Sequence, residues 1–194
     1  MGARMYRPGA AGFVNQDTVP AANLQSRRCT RGEMVELTYR LESGPNFMGW
    51  ERHRDSGAAS RRDLLLSFFP GDIGIITDDA EFETNFGWVP ILHFAMSMVT
   101  IHEELTAADH VVGRYVFTEA TEVLSFRRNG MQVMIAPSFR STRMTCSVEE
   151  LRSAIKAFVP QVLSGIGSEY PALSDTDLAR EMTSRAEALL VMAA

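Results

Sequence analysis

The chain has 194 residues, 45% of them apolar and 22% charged, which is ordinary for a globular domain able to bury a core without disulfide or metal staples. No apolar run of about seven residues leads into a small-residue cleavage site near the N-terminus, so a secretory leader is not expected. The longest apolar tract, Trp88 to Ile101, is broken by His93 and Ser97 and is too short to span a bilayer. The expected compartment is therefore the cytoplasm, where Cys29 and Cys146 would stay as free thiols.

Charge is unevenly divided. Residues 1–33 hold five arginines against Asp17 and Glu33, a net of +3, whereas residues 34–194 hold 14 basic and 22 acidic groups, a net of −8. A domain this acidic repels nucleic-acid phosphate and attracts a basic partner. Lys156 is the one lysine among 19 basic residues, a bias favoured by GC-rich codons that points to a high-GC bacterial genome such as an actinobacterium.

In chain order, residues 1–33 show no helical or strand period and are interrupted by Pro8 and Pro20. They are expected to be disordered, or to lie upstream of a true start at Met34, and a single domain is expected over 34–194. From Met34 the pattern alternates, with Val35, Leu37, Tyr39 and Leu41 on one face and Glu36, Thr38, Arg40 and Glu42 on the other, as in a half-buried antiparallel strand. A polar segment from Gly49 to Arg62 carries Arg52, His53, Arg54, Arg61 and Arg62 and reads as a loop. Leu64–Phe69 and Ile73–Thr77 read as two strands joined at Pro70-Gly71-Asp72. Asp78-Asp79-Ala80 forms a turn into a short strand with Phe82 and Phe86.

Trp88 to Leu105 reads as one long helix, apolar on most sides. Its one polar stripe is His93, Ser97, Thr100 and Glu104. Strands follow at Val112–Thr118 and Val123–Phe126, and Asn129-Gly130 signals a hairpin returning through Met131–Ala136. A short strand is expected at Arg143–Cys146. Ser147-Val148-Glu149-Glu150 is a capping box, opening a helix that Pro160 is expected to kink or split. Ser174 and Asp177 are read as caps of a last helix carrying Leu178, Met182, Arg185 and Leu189. The order predicts an α+β domain: a mainly antiparallel, twisted sheet with one central apolar helix and two C-terminal helices on one face.

Catalytic signatures are missing. His102-Glu103-Glu104 lacks a second histidine four residues on, and His93 and His102 point to opposite sides of one helix, so no metal site is expected. No phosphate-cradling glycine loop and no Gly-x-Ser-x-Gly elbow occur, and no cofactor is expected. Cys146, near a capped helix start that can lower a thiol pKa, leaves open a small enzyme or ligand-binding site pairing it with a histidine. The stronger pattern is acidic: Asp72, Asp78, Asp79, Glu81 and Glu83 interleave with Phe82 and Phe86 and precede Trp88. Carboxylates beside aromatic anchors suit a basic protein surface, because charge speeds encounter and aromatics hold the contact.

The opening strand Val-Glu-Leu-Thr-Tyr-Arg-Leu-Glu-Ser-Gly-Pro-Asn, Gly-Asp-Ile-Gly-Ile, and Phe-Arg-Arg-Asn-Gly ahead of a Ser-Val-Glu-Glu-Leu helix give the chain its family likeness. Over Met34 to Leu173 it resembles small actinobacterial α+β proteins of unknown function, some similar to immunity proteins of toxin–immunity pairs. That resemblance implies a cytoplasmic, non-catalytic binding protein; with the acidic charge of the domain, the expectation is an immunity-type protein that neutralises a basic partner, with homo-oligomerisation left open. It transfers no binding residue.

Overall fold

Eight strands and four α-helices make up an α+β fold in a computed structural model that describes residues 34–43 and 49–189. The disorder expected for residues 1–33 lies outside the described residues. Pairing is antiparallel throughout, as predicted, but the strands are divided between two four-stranded sheets. The first sheet comprises β1 (Glu36–Leu41), β2 (Pro70–Ile76), β3 (Glu81–Glu83) and β4 (Val89–Pro90). β2 is its hub, pairing with β1 on one side and with β3 and β4 on the other. The second sheet is a meander of β5 (His110–Val116), β6 (Val123–Asn129), β7 (Gln132–Pro137) and β8 (Met144–Ser147), in that order.

The run Leu64–Phe69, read as a strand, is instead the end of helix α1 (Arg61–Leu66) and a tight turn. Ser60 accepts the amide of Asp63 and caps this helix, and three consecutive leucines satisfy a one-sided helix as well as a strand: Leu64 is buried while Leu66 is exposed. The chain then reverses at Phe69, whose φ of 52° is unusual for a side-chain-bearing residue. It is held there because its amide donates to Glu51, its carbonyl accepts from Ile91, and its ring packs on Tyr170 in the core. Pro70-Gly71-Asp72 opens β2 and is not a bend between strands.

The central apolar helix is α2 (Ile91–Ala107), starting three residues later than predicted because Val89–Pro90 pairs with Pro70–Gly71. Ten of its residues are buried, among them Phe94, Met98, Val99 and Leu105, so the helix contributes to the core on nearly every side. α3 (Val148–Glu169) opens on the predicted capping box, with Ser147 accepting from the Glu150 amide and Glu150 from the Ser147 amide. The expected split at Pro160 does not occur. Pro160 and Lys156 both face solvent, so water can satisfy the carbonyl that loses its helical donor. Phe158 of α3 ties the first sheet to α2 through the core, meeting Tyr39 of β1 at 6.0 Å and Phe94 of α2 at 5.8 Å.

The last helix, α4 (Asp177–Ala188), is capped by Thr176; Asp177 is its first residue, and Ser174 belongs to the preceding 3-10 turn. Leu178, Met182 and Leu189 are buried as predicted. Arg185 crosses to α2, where it meets Glu103 and Thr100. Among the described residues, no helix is long and apolar enough to cross a membrane.

Candidate protein-interaction site

Asp72 behaves unlike the other acidic residues singled out in the sequence. It is 5% exposed, and its Oδ1 accepts from the amides of Phe86 (2.7 Å) and Gly87 (3.0 Å) and from Thr84 Oγ1 (3.0 Å). Oδ2 takes Arg40 at 3.1 Å. Burial works against its charge, but the bonds from Gly87, Arg40, Thr84 and Phe86 outweigh it and hold the carboxyl below the usual aspartate range. Asp72 is thus a structural bracket that ties the β3–β4 connection onto β2 and is withdrawn from any partner.

The remaining acids are presented to solvent by the pleat. On β1 and β2, Leu37, Tyr39, Ile73 and Ile75 face the core, so Glu36, Thr38 and Arg40 share the opposite face with Gly74 and Ile76. Register then sets Glu36, Ile76 and Glu81 side by side across three strands, with Glu83 opposite Gly74 in the next row. Arg40 lies 3.9 Å from Glu83 and partly offsets it. The turn after β2 is locked by Thr77, whose amide donates to the Ala80 carbonyl while its hydroxyl donates to Asp79 at 2.5 Å and accepts from the Ala80 amide at 3.3 Å. This leaves Asp78 and Asp79 exposed at its tip.

Beyond that tip lies a cleft of about 470 Å³, lined among others by Met34, Asp78, Asp79, Met131, Cys146 and Glu150. Met34 and Met131 are 59% and 65% exposed. Among the described residues, Glu36, Asp78, Asp79, Glu81 and Glu150 have no ion-pair partner. The result is a field of four exposed, unpaired carboxylates, Glu36, Asp78, Asp79 and Glu81, with exposed Met34, Ile76 and Met131 set into it and half-buried Glu150 beside it.

Trp88 does not belong to this field. It stacks on Phe86 at 4.9 Å, and both pack against Phe117. Its neighbour Val89 pairs with Gly71, whereas Glu81 pairs with Ile76, five residues along β2 and therefore roughly 17 Å away. The apolar partners of the acids are the two methionines and Ile76, which the sequence reading did not single out. Ile76 was hidden because a strand residue facing outward beside acids looks like core in a β-branched run. Glu150 was recognised only as a capping residue, although its second oxygen is without a partner.

Cys146 lines the cleft, but its thiol is pushed up to about 12 by burial and by the nearby Glu150 and Asp79 carboxylates. The helix-start effect is therefore overridden, and among the described residues no histidine lines the cleft to act as its base. His102 is buried in the core with both ring nitrogens unpartnered among the described residues, and desolvation lowers its pKa so that it stays neutral. His93 packs against Tyr115. No group of three or more candidate metal ligands occurs among the described residues. Comparisons with protein-family models, with curated proteins and with solved structures found no match.

Proposed function

We propose that this chain is a non-catalytic protein-binding domain that takes a basic partner, as an immunity-type protein would. The observation that carries this reading is the surface built by Glu36, Asp78, Asp79 and Glu81 around exposed Met34, Ile76 and Met131. Carboxylates outside any ion pair lose little on meeting arginine or lysine, since no existing ion pair has to be broken. The methionines supply unbranched, polarisable apolar contacts that adapt to a partner's shape.

The test is affinity capture with the full chain from a lysate of the organism that encodes it, at low and at high salt. A basic protein should be retained at low salt and released as salt rises. The double variant D78K/E81K should lose it while melting at the wild-type temperature, because both side chains are exposed and, among the described residues, neither is bonded within the fold. Failure to recover any basic protein, or capture indifferent to the charge reversal, would sink the proposal.

A further inference from the structure

Among the described residues, β5 is an edge strand of the second sheet, paired only with β6. The amide of Phe117 donates to Glu122 and that of Gly130 donates to Asp109, both at 3.1 Å and both on the register that pairs His110 with Asn129. Odd-numbered residues of β5 therefore direct their main-chain groups toward β6, and His110, Val112, Arg114 and Val116 direct theirs to the open edge. All four are exposed, Val112 to 40% and Val116 to 53%. Among the described residues nothing bonds to their amides or carbonyls.

The other edges are managed. By the same logic, the Glu42 amide donating to Pro70 shows that Leu37, Tyr39 and Leu41 aim at the free edge of β1, yet Leu37 is buried and Tyr39 is packed against Phe158 of α3. β3, β4 and β8 have three, two and four residues. β5 has seven, with no proline, lysine or bulge to protect it.

We propose that this edge docks a single extended segment of another protein as an added antiparallel strand. A second copy of the chain is excluded by α2. Helix α2 lies directly beneath β5, with Phe94 on Tyr115 at 5.1 Å and Ile101 so close that a Cβ on Gly113 would sit 2.8 Å from it. Two β5 strands paired about a twofold axis would set two such helices about 5 Å apart, where helix packing needs roughly 8–10 Å. The incoming strand must have no helix under it.

Its chemistry follows from the face it extends. Val112 and Val116 flank Arg114, and Arg127 stands opposite Val112 on β6. No outward position of β5 to β8 carries a carboxylate. The segment therefore places apolar side chains opposite Val112 and Val116 and a carboxylate opposite Arg114. Its alternate, inward residues are small. This inference is independent of the acidic cleft and survives if that reading fails.

The probe is the capped peptide Val-Ser-Glu-Ser-Val-Ser-Thr, added to the full isotope-labelled chain while amide hydrogen exchange is followed by NMR. In the dilute chain alone the amides of residues 110, 112, 114 and 116 should exchange at exposed rates, and those of 111, 113, 115 and 117 slowly. With about 1 mM peptide the even-numbered set should slow roughly tenfold, and a lysine in place of the peptide's glutamate should weaken the effect. V112P, which removes an edge amide that the fold does not use, should abolish the response while the odd-numbered amides stay protected; V112T should keep it. No slowing with the peptide, or an equal response in V112P, would overturn the proposal. So would even-numbered amides already protected in the dilute chain, or protected by raising protein concentration alone.

Discussion

Replacing Asp72 with alanine removes the acceptor for three donors at once, one buried and two partly buried. The amides of Phe86 and Gly87 are left without a partner, and the Thr84 hydroxyl, which still accepts from the Ile73 amide, can donate only to the Ile73 carbonyl at 3.4 Å. An orphaned buried donor costs about 1–3 kcal/mol. Arg40 adds little to that sum, because its side chain is 64% exposed and returns to water. The expected loss is about 3–5 kcal/mol. Asparagine can still offer an oxygen to the two amides and forfeits mainly the charge, so D72N should cost about 1–2 kcal/mol. Urea unfolding read by tryptophan fluorescence gives the comparison, and for a slope of about 2 kcal/mol/M the D72A midpoint should fall by roughly 1.5–2.5 M. The depressed carboxyl also sets a direction with pH. Its contribution is complete above the unfolded aspartate value of about 3.9 and disappears as pH falls through the lower folded value, so wild type should lose stability from about pH 4 downward and D72N should do so less steeply. A D72A protein within about 0.5 kcal/mol of wild type would refute the bracket role.

Two further outcomes follow from the same packing. Iodoacetamide at neutral pH should alkylate Cys146, read by peptide mass, about a hundredfold more slowly in the folded chain than in urea, since burial and two carboxylates keep the thiol protonated; equal rates would contradict this. G71A should cost more than about 2 kcal/mol in denaturant unfolding, because its Cβ would lie 2.1 Å from the Arg40 carbonyl oxygen, a backbone atom that moves only with β1 itself. Near-wild-type stability would show that β1 and β2 can separate locally at little cost.

Element type was written into short-range pattern wherever one period dominated. The alternation of β1, the dense apolar run of α2, and Ser147 with Glu150 at the mouth of α3 each specify a local conformation through side-chain spacing or a cap, without help from the rest of the chain. The hairpin between β6 and β7 was legible too, although its two loop residues are Gly130 and Met131, with glycine supplying the positive φ. Where local pattern was ambiguous, tertiary contacts decided. Leu64 to Phe69 became helix and turn because Leu64, Phe68 and Phe69 reach the core in that geometry.

The same holds for the site. Alternation alone put Glu36, Glu81 and Glu83 on a solvent face, and the turn residues put Asp78 and Asp79 at a tip. Only the pairing register set those acids side by side, moved Trp88 to the far end of β2 and buried Asp72 under four donors. Met131 and Glu150 come from segments more than fifty residues away from that turn, and they reach the cleft because the second sheet ends beside it. Sequence spacing records which side of a strand a residue occupies; which strands are neighbours, and hence which charges add, is set by long-range contacts that carry no local period.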